Sequence, residues 1–162
     1  MAGAGPADAR FLFRTDEGRI GRRVWWRGAG VLAAPLLVLT AIWLRLIPDA
    51  RHDLGTTPLI AAAPLIAYSY LIVYAFAVVL IAISFTNLSA KRWRDRGRPA
   101  PTALAGLVPF LALLSGAAHW LQPRVATDMS YGYVIAVDAL LAVAAVWTVV
   151  ELGLQPGVAP PP

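Results

Sequence analysis

The segment Lys91-Arg92-Trp93-Arg94-Asp95-Arg96-Gly97-Arg98 sets five basic residues between two long apolar runs. A charged side chain is costly in hydrocarbon, so this segment has to lie in water or among lipid headgroups. The run before it exceeds the ~20 residues that a membrane-crossing helix needs, and the run after it reaches that length. Hydrophobic residues make up 59% of the chain and charged residues 14%. Soluble domains average about 45–50% and about 25%, so the chain is expected to be an all-α integral membrane protein. The basic excess lies in two juxtamembrane blocks rather than on a soluble basic face, which argues against a nucleic-acid partner. With no cysteine in the chain, disulfides, thiolate nucleophiles and cysteine-held metals are excluded.

Hydropathy predicts four spans, at about 26–47, 67–88, 102–121 and 131–154. Pro35 is expected to kink the first, and Pro58 and Pro64 to make the approach to the second irregular. Residues 1–10 and the Pro-rich tail 155–162 are expected to be disordered, leaving a membrane domain over 11–154. Before the first span, Phe11, Phe13, Ile20, Trp25 and Trp26 alternate with arginines, the pattern of a short segment lying at headgroup level. Arg10, Arg14, Arg19, Arg22, Arg23 and Arg27 precede or open the first span. With the five basic residues between the second and third spans, they place eleven of fourteen on one face. The positive-inside rule then predicts two helical hairpins with both termini in the cytoplasm.

Two motifs lie on that face. Gly18-Arg19-Ile20-Gly21-Arg22-Arg23-Val24-Trp25-Trp26 resembles the Gly-Arg-x-x-Arg-x-x-aromatic-Trp motif of the small YhaH-like inner membrane proteins, the domain of unknown function family 805. Lys91 to Ala100 is similar to that family's second motif, roughly Arg-Arg-Leu-His-Asp-x-Gly-x-Ser-Gly. The order of motif, two spans, motif, two spans is shared, so the resemblance runs from about Phe11 to Leu154. Arg94 stands where the family has His, and Pro99-Ala100 where it has Ser-Gly, which argues against a proton or metal role at position 94. The resemblance implies four helices in a bacterial inner membrane and no assigned activity.

From the residues themselves, Asp95 is the one acid among five basic neighbours and is expected to clamp the two motifs by pairing with Arg19 or Arg22. Gly18 and Gly97 would supply turns and Trp26 an anchor for that clamp. The alternative is that Arg19, Arg22, Arg92, Arg94, Arg96 and Arg98 bind an anionic lipid headgroup or an acidic partner. Toward the other end, Asp138 lies two turns into the fourth span and His119 near the end of the third, a candidate proton-linked pair. His52-Asp53, Arg124 and Asp128 are further polar residues of the outer loops. Two distant histidines without helical spacing are a weak metal signal, so neither a metal nor any other cofactor is expected. The expected function is a non-enzymatic accessory role, engaging anionic headgroups, another membrane protein or a second copy of the chain. A small proton-linked transporter using Asp138 and His119, and a membrane-bound lipid-headgroup enzyme, are the alternatives.

Overall fold

The computed structural model describes residues 8–50, 58, 60–125 and 131–158. Among them every regular element is helical: α1 (Ala9–Phe13), α2 (Arg22–Leu46), a 3₁₀ turn (Pro48–Ala50), α3 (Ala62–Asp95), α4 (Pro101–Val125) and α5 (Gly132–Thr148). The last continues into a π-helical stretch, Val149–Leu154. Four of these helices are long and apolar enough to cross a membrane, and the chain is a multi-pass membrane protein.

Two compact units share the chain: Met1–Ala29 with Ala82–Pro162, and Gly30–Ile81. Within the second unit, tyrosines of α3 serve otherwise apolar helices. Tyr70 donates to the Leu39 carbonyl at 2.7 Å, and the Tyr74 hydroxyl lies 3.1 Å from Thr40 Oγ1. The Tyr74 ring stacks on Trp43. A half-buried phenol between apolar helices needs such a partner because lipid offers none.

Within the first unit, α4 and α5 pack on each other, burying Ala118, Val134 and Ala144. Large apolar residues such as Phe110, Leu140 and Val143 remain exposed, as a surface meant for lipid tails would be. The enclosed core lies elsewhere, around the start of α2 and the last turns of α3. Trp25, Leu88, Ser89, Ala90, Lys91, Arg92 and Trp93 are all buried there. Trp25 donates its indole proton to Ser89 Oγ at 3.2 Å.

Three expectations need correction. First, α3 starts at Ala62, not near 67, because Pro64 falls in its first turn, where a missing N–H leaves no bond unmade. Second, α3 runs on to Asp95, so the second motif is mostly helix rather than loop. Third, the tail is not wholly disordered. Residues 155–158 lie against the end of α3, where Val158 N–H donates to the Asp95 carbonyl at 3.0 Å. Toward the other terminus, α1 begins at Ala9, with the Asp8 carboxylate accepting from Arg10 N–H.

Gly97 turns the chain out of α3 at φ +66°, and Ala100 opens α4 at φ +49°. The left-handed region suits glycine, and Ala100 also precedes Pro101, which restricts it further. Position 100 is where the motif resembled by this segment carries glycine. Ala100→Gly should therefore stabilise the protein by about 0.5–1 kcal/mol, read as a higher melting temperature in detergent.

Candidate functional site: the basic end of the first unit

The π-helical end of the fourth span poses a physical problem. Its last carbonyls have no N–H ahead of them, since Pro156 carries none and the chain turns extended at Gln155. Side chains of the two motifs answer it, one carbonyl after another. Arg92 Nε donates to Leu152 O at 3.0 Å, Trp26 Nε1 to Gly153 O at 3.1 Å and Arg22 Nη1 to Leu154 O at 2.9 Å. Arg92 Nη2 donates to Gln155 O at 2.5 Å, and Arg96 Nη1 to Pro156 O. Five successive carbonyls thus meet four cationic or indole side chains at the negative end of a helix. Gly153 allows the close approach: a Cβ there would stand 2.8 Å from Trp26 Cζ2 and 3.3 Å from Trp25 Cζ3.

The same stretch of α3 caps a second helix. Asn87 Nδ2 donates to Phe13 O at 2.9 Å, and Lys91 Nζ to Leu12 O at 3.3 Å and to Thr15 O. Lys91 also lies over the Phe11 ring, 5.0 Å from its centre. Helical spacing explains the division. Asn87 and Lys91, four apart, share one face and serve α1; Arg92 and Arg96 share the next face and serve the fourth span.

Three carboxylates neutralise this cluster. Glu151 is buried on the π-helical turn, and its Oε1 receives Arg98 Nη2 at 2.9 Å and Arg96 Nη2 at 3.2 Å. Asp16 receives Arg94 Nη2 at 2.9 Å, and that bond is the largest influence holding its carboxyl below the ordinary value. Asp95 pairs with Arg92, three residues back on the same helix. The clamp expected between Asp95 and Arg19 or Arg22 is therefore not formed as such. Arg22 meets a carbonyl, and Arg19 is exposed with no ion pair among the described residues. Gly18 does adopt a positive φ, +94°, with Phe11 packed against it.

Of the expected anion-binding arginines, Arg92, Arg94, Arg96 and Arg98 are all engaged with this protein's own acids and carbonyls. Sequence reasoning missed Glu151, Asp16, Ser89 and Lys91. A signal existed for Glu151, a single acid closing an apolar span. None existed for Asp16, whose partner is far away in the chain.

Toward the other end of the same unit, the structure brings Asp138 and His119 together. Asp138 Oδ2 lies 2.9 Å from His119 Nε2, and Oδ1 accepts from Ser115 Oγ at 2.5 Å. Ser115 and His119 are one helical turn apart on α4, and Asp138 faces them from α5. The carboxylate, not the imidazole, accepts the serine hydroxyl's hydrogen bond. Among the described residues no cluster of three His, Cys, Asp or Glu suits a metal ion. His52, Asp53 and Asp128, and the side chain of Arg124, lie outside what the structure describes.

Glu151→Ala should cost about 2–3 kcal/mol, because two guanidiniums lose their shared carboxylate and one of them is largely buried. Asp95→Ala should cost less, since Arg92 keeps two carbonyl acceptors. Thermal melting of both variants in one detergent checks the order; equal losses would contradict it.

A family model described as "Protein of unknown function (DUF805)" matches residues 13–161. No curated protein and no solved structure matches the chain.

Proposed function

Because the chain belongs to the DUF805 family, whose function is unknown, its role has to be argued from its own residues, and we propose a non-enzymatic accessory protein of the bacterial inner membrane that engages anionic lipid headgroups through the arginines leading into its first span. The observation that carries this reading is the unequal treatment of the two basic blocks. The second is neutralised from within by Asp16, Asp95 and Glu151. In the first, Arg10, Arg14, Arg19, Arg23 and Arg27 are exposed, and no described carboxylate pairs with them. Uncompensated cations beside a membrane surface attract anionic lipid at about 1 kcal/mol each. Trp26, 46% exposed although its N–H is bonded, supplies an amphipathic ring for the headgroup layer. Cytoplasmic termini follow from the same excess of positive charge.

Replacing Arg10, Arg14, Arg19 and Arg27 together by Gln should cut the preference for phosphatidylglycerol over phosphatidylethanolamine at least tenfold, measured by native mass spectrometry. Arg94→Gln, which breaks an internal pair, should lower stability and leave that preference intact. Unchanged preference in the fourfold variant would remove the proposal. For orientation, a cysteine at Tyr131 should label from outside intact cells and one at Glu17 should not.

A second reading rests on the Ser115–Asp138–His119 cluster, which puts two titratable groups in contact within helices long enough to span. Such a pair suits proton-linked transport. Asp138→Asn should then abolish proton uptake into proteoliposomes under a pH gradient; wild type without uptake would remove this reading.

A further inference from the structure

Between the first turn of α2 and the segment 155–158 lies an open hollow of about 370 Å³. Arg22, Arg23, Arg92, Asp95, Pro156 and Gly157 line it. We propose that this hollow binds one phosphate group, carried by a lipid headgroup or free in solution, with Arg22 and Arg23 as its ligands. The proposal rests on the lipid-binding reading above and gives it a defined seat.

Charge makes the case. Arg92 and Asp95 pair with each other and cancel. What remains at the lining is Arg22 and Arg23, two guanidiniums without an anion among the described residues. Arg22 gives one Nη to the neutral Leu154 carbonyl and keeps the rest of its fork, and Arg23 is exposed. A headgroup phosphodiester offers two acceptor oxygens sharing a negative charge, free phosphate offers more, and charge-assisted bonds are about twice as strong as those to a neutral carbonyl. Two neighbouring forks converging on one group would select a phosphate over any uncharged headgroup part.

The far wall is a strap of the protein's own chain. Gln155 and Pro156 accept from Arg92 and Arg96, and Val158 donates to Asp95. Gly157 lies so close to the Asp95 carboxylate that an added Cβ would stand 2.5 Å from Oδ2. A side chain at position 157 would have to displace either the strap or the Asp95 carboxylate. Asp95, which also lines the hollow, is paired with Arg92 there.

The test titrates the full-length protein in detergent with phosphatidylglycerol, with dioleoylglycerol, which lacks phosphate, and with inorganic phosphate. Native mass spectrometry reads the lipids, and competition against phosphatidylglycerol reads the inorganic ion. Arg23→Gln should weaken phosphatidylglycerol about fivefold at unchanged melting temperature. Arg27→Gln, one turn further and outside the lining, should change it less than twofold. Gly157→Ala should also weaken it severalfold, because the strap or the Asp95 carboxylate has to move. Dioleoylglycerol should bind all forms alike. Competition by inorganic phosphate that Arg23→Gln abolishes would assign the site to free phosphate; no competition, with phosphatidylglycerol weakened, assigns it to the headgroup. If Arg23→Gln and Gly157→Ala both bind like wild type, the hollow is no phosphate site. In that event, a fourfold variant that has lost its lipid preference preserves the general reading, and one that has not removes both.

Discussion

The end of the fourth span is where the structure's requirements concentrate. A helix that stops at a membrane surface leaves carbonyls without partners, and a buried one left unpaired costs about 1–3 kcal/mol. Here a π-helical turn followed by Pro156 leaves a run of them, from Leu152 to Pro156, in a partly enclosed setting. Arg22, Trp26, Arg92 and Arg96 converge because that run exists. Their convergence then fixes the rest. It holds the start of α2 beside the end of α3, and Glu151 completes the cluster by neutralising the arginines gathered there.

This gives the two arginine blocks different physics despite similar composition. In the second block each cation has an internal acceptor, and Lys91 and Arg92 are buried in full. Removing one of these residues would leave an orphaned acid or carbonyl, so their effect on stability should exceed their effect on ligands. Among the described residues, only Arg22 of the first block has a side-chain bond to the protein. Its neighbours pair with no described carboxylate, which is the condition under which a mobile anionic lipid can compete for them. Ion pairs at so exposed a site would contribute little to folding anyway.

The architecture was legible in the sequence because apolar length is a strong signal. Four runs above the bilayer threshold, separated by arginines, leave few alternatives to four helices. Boundaries were less legible. Pro64 reads as a breaker, but proline is harmless in a first helical turn, and nothing in the basic composition of 91–95 says that α3 continues through it. The site was half legible. Motif residues Arg22, Trp26, Arg92 and Asp95 stood out, yet their partners are main-chain carbonyls, which leave no trace in side-chain identity. Glu151 was visible as an acid but its role depended on a turn whose geometry no pattern announces. Ser115 joined Asp138 and His119 only once α4 and α5 were seen packed together.

The capping of the fourth span by residues of α3 also orders events during synthesis. Arg92, Arg96 and Arg98 leave the ribosome more than fifty residues before Glu151 and the carbonyls they will bind. Until then Arg92 has only Asp95 to pair with, and Arg96 and Arg98 lack the acceptors they hold in the folded chain. Arrival of the last span supplies them. A chain interrupted before residue 151 would leave Arg96 and Arg98 without their carboxylate, a difference that a membrane protease or chaperone could read.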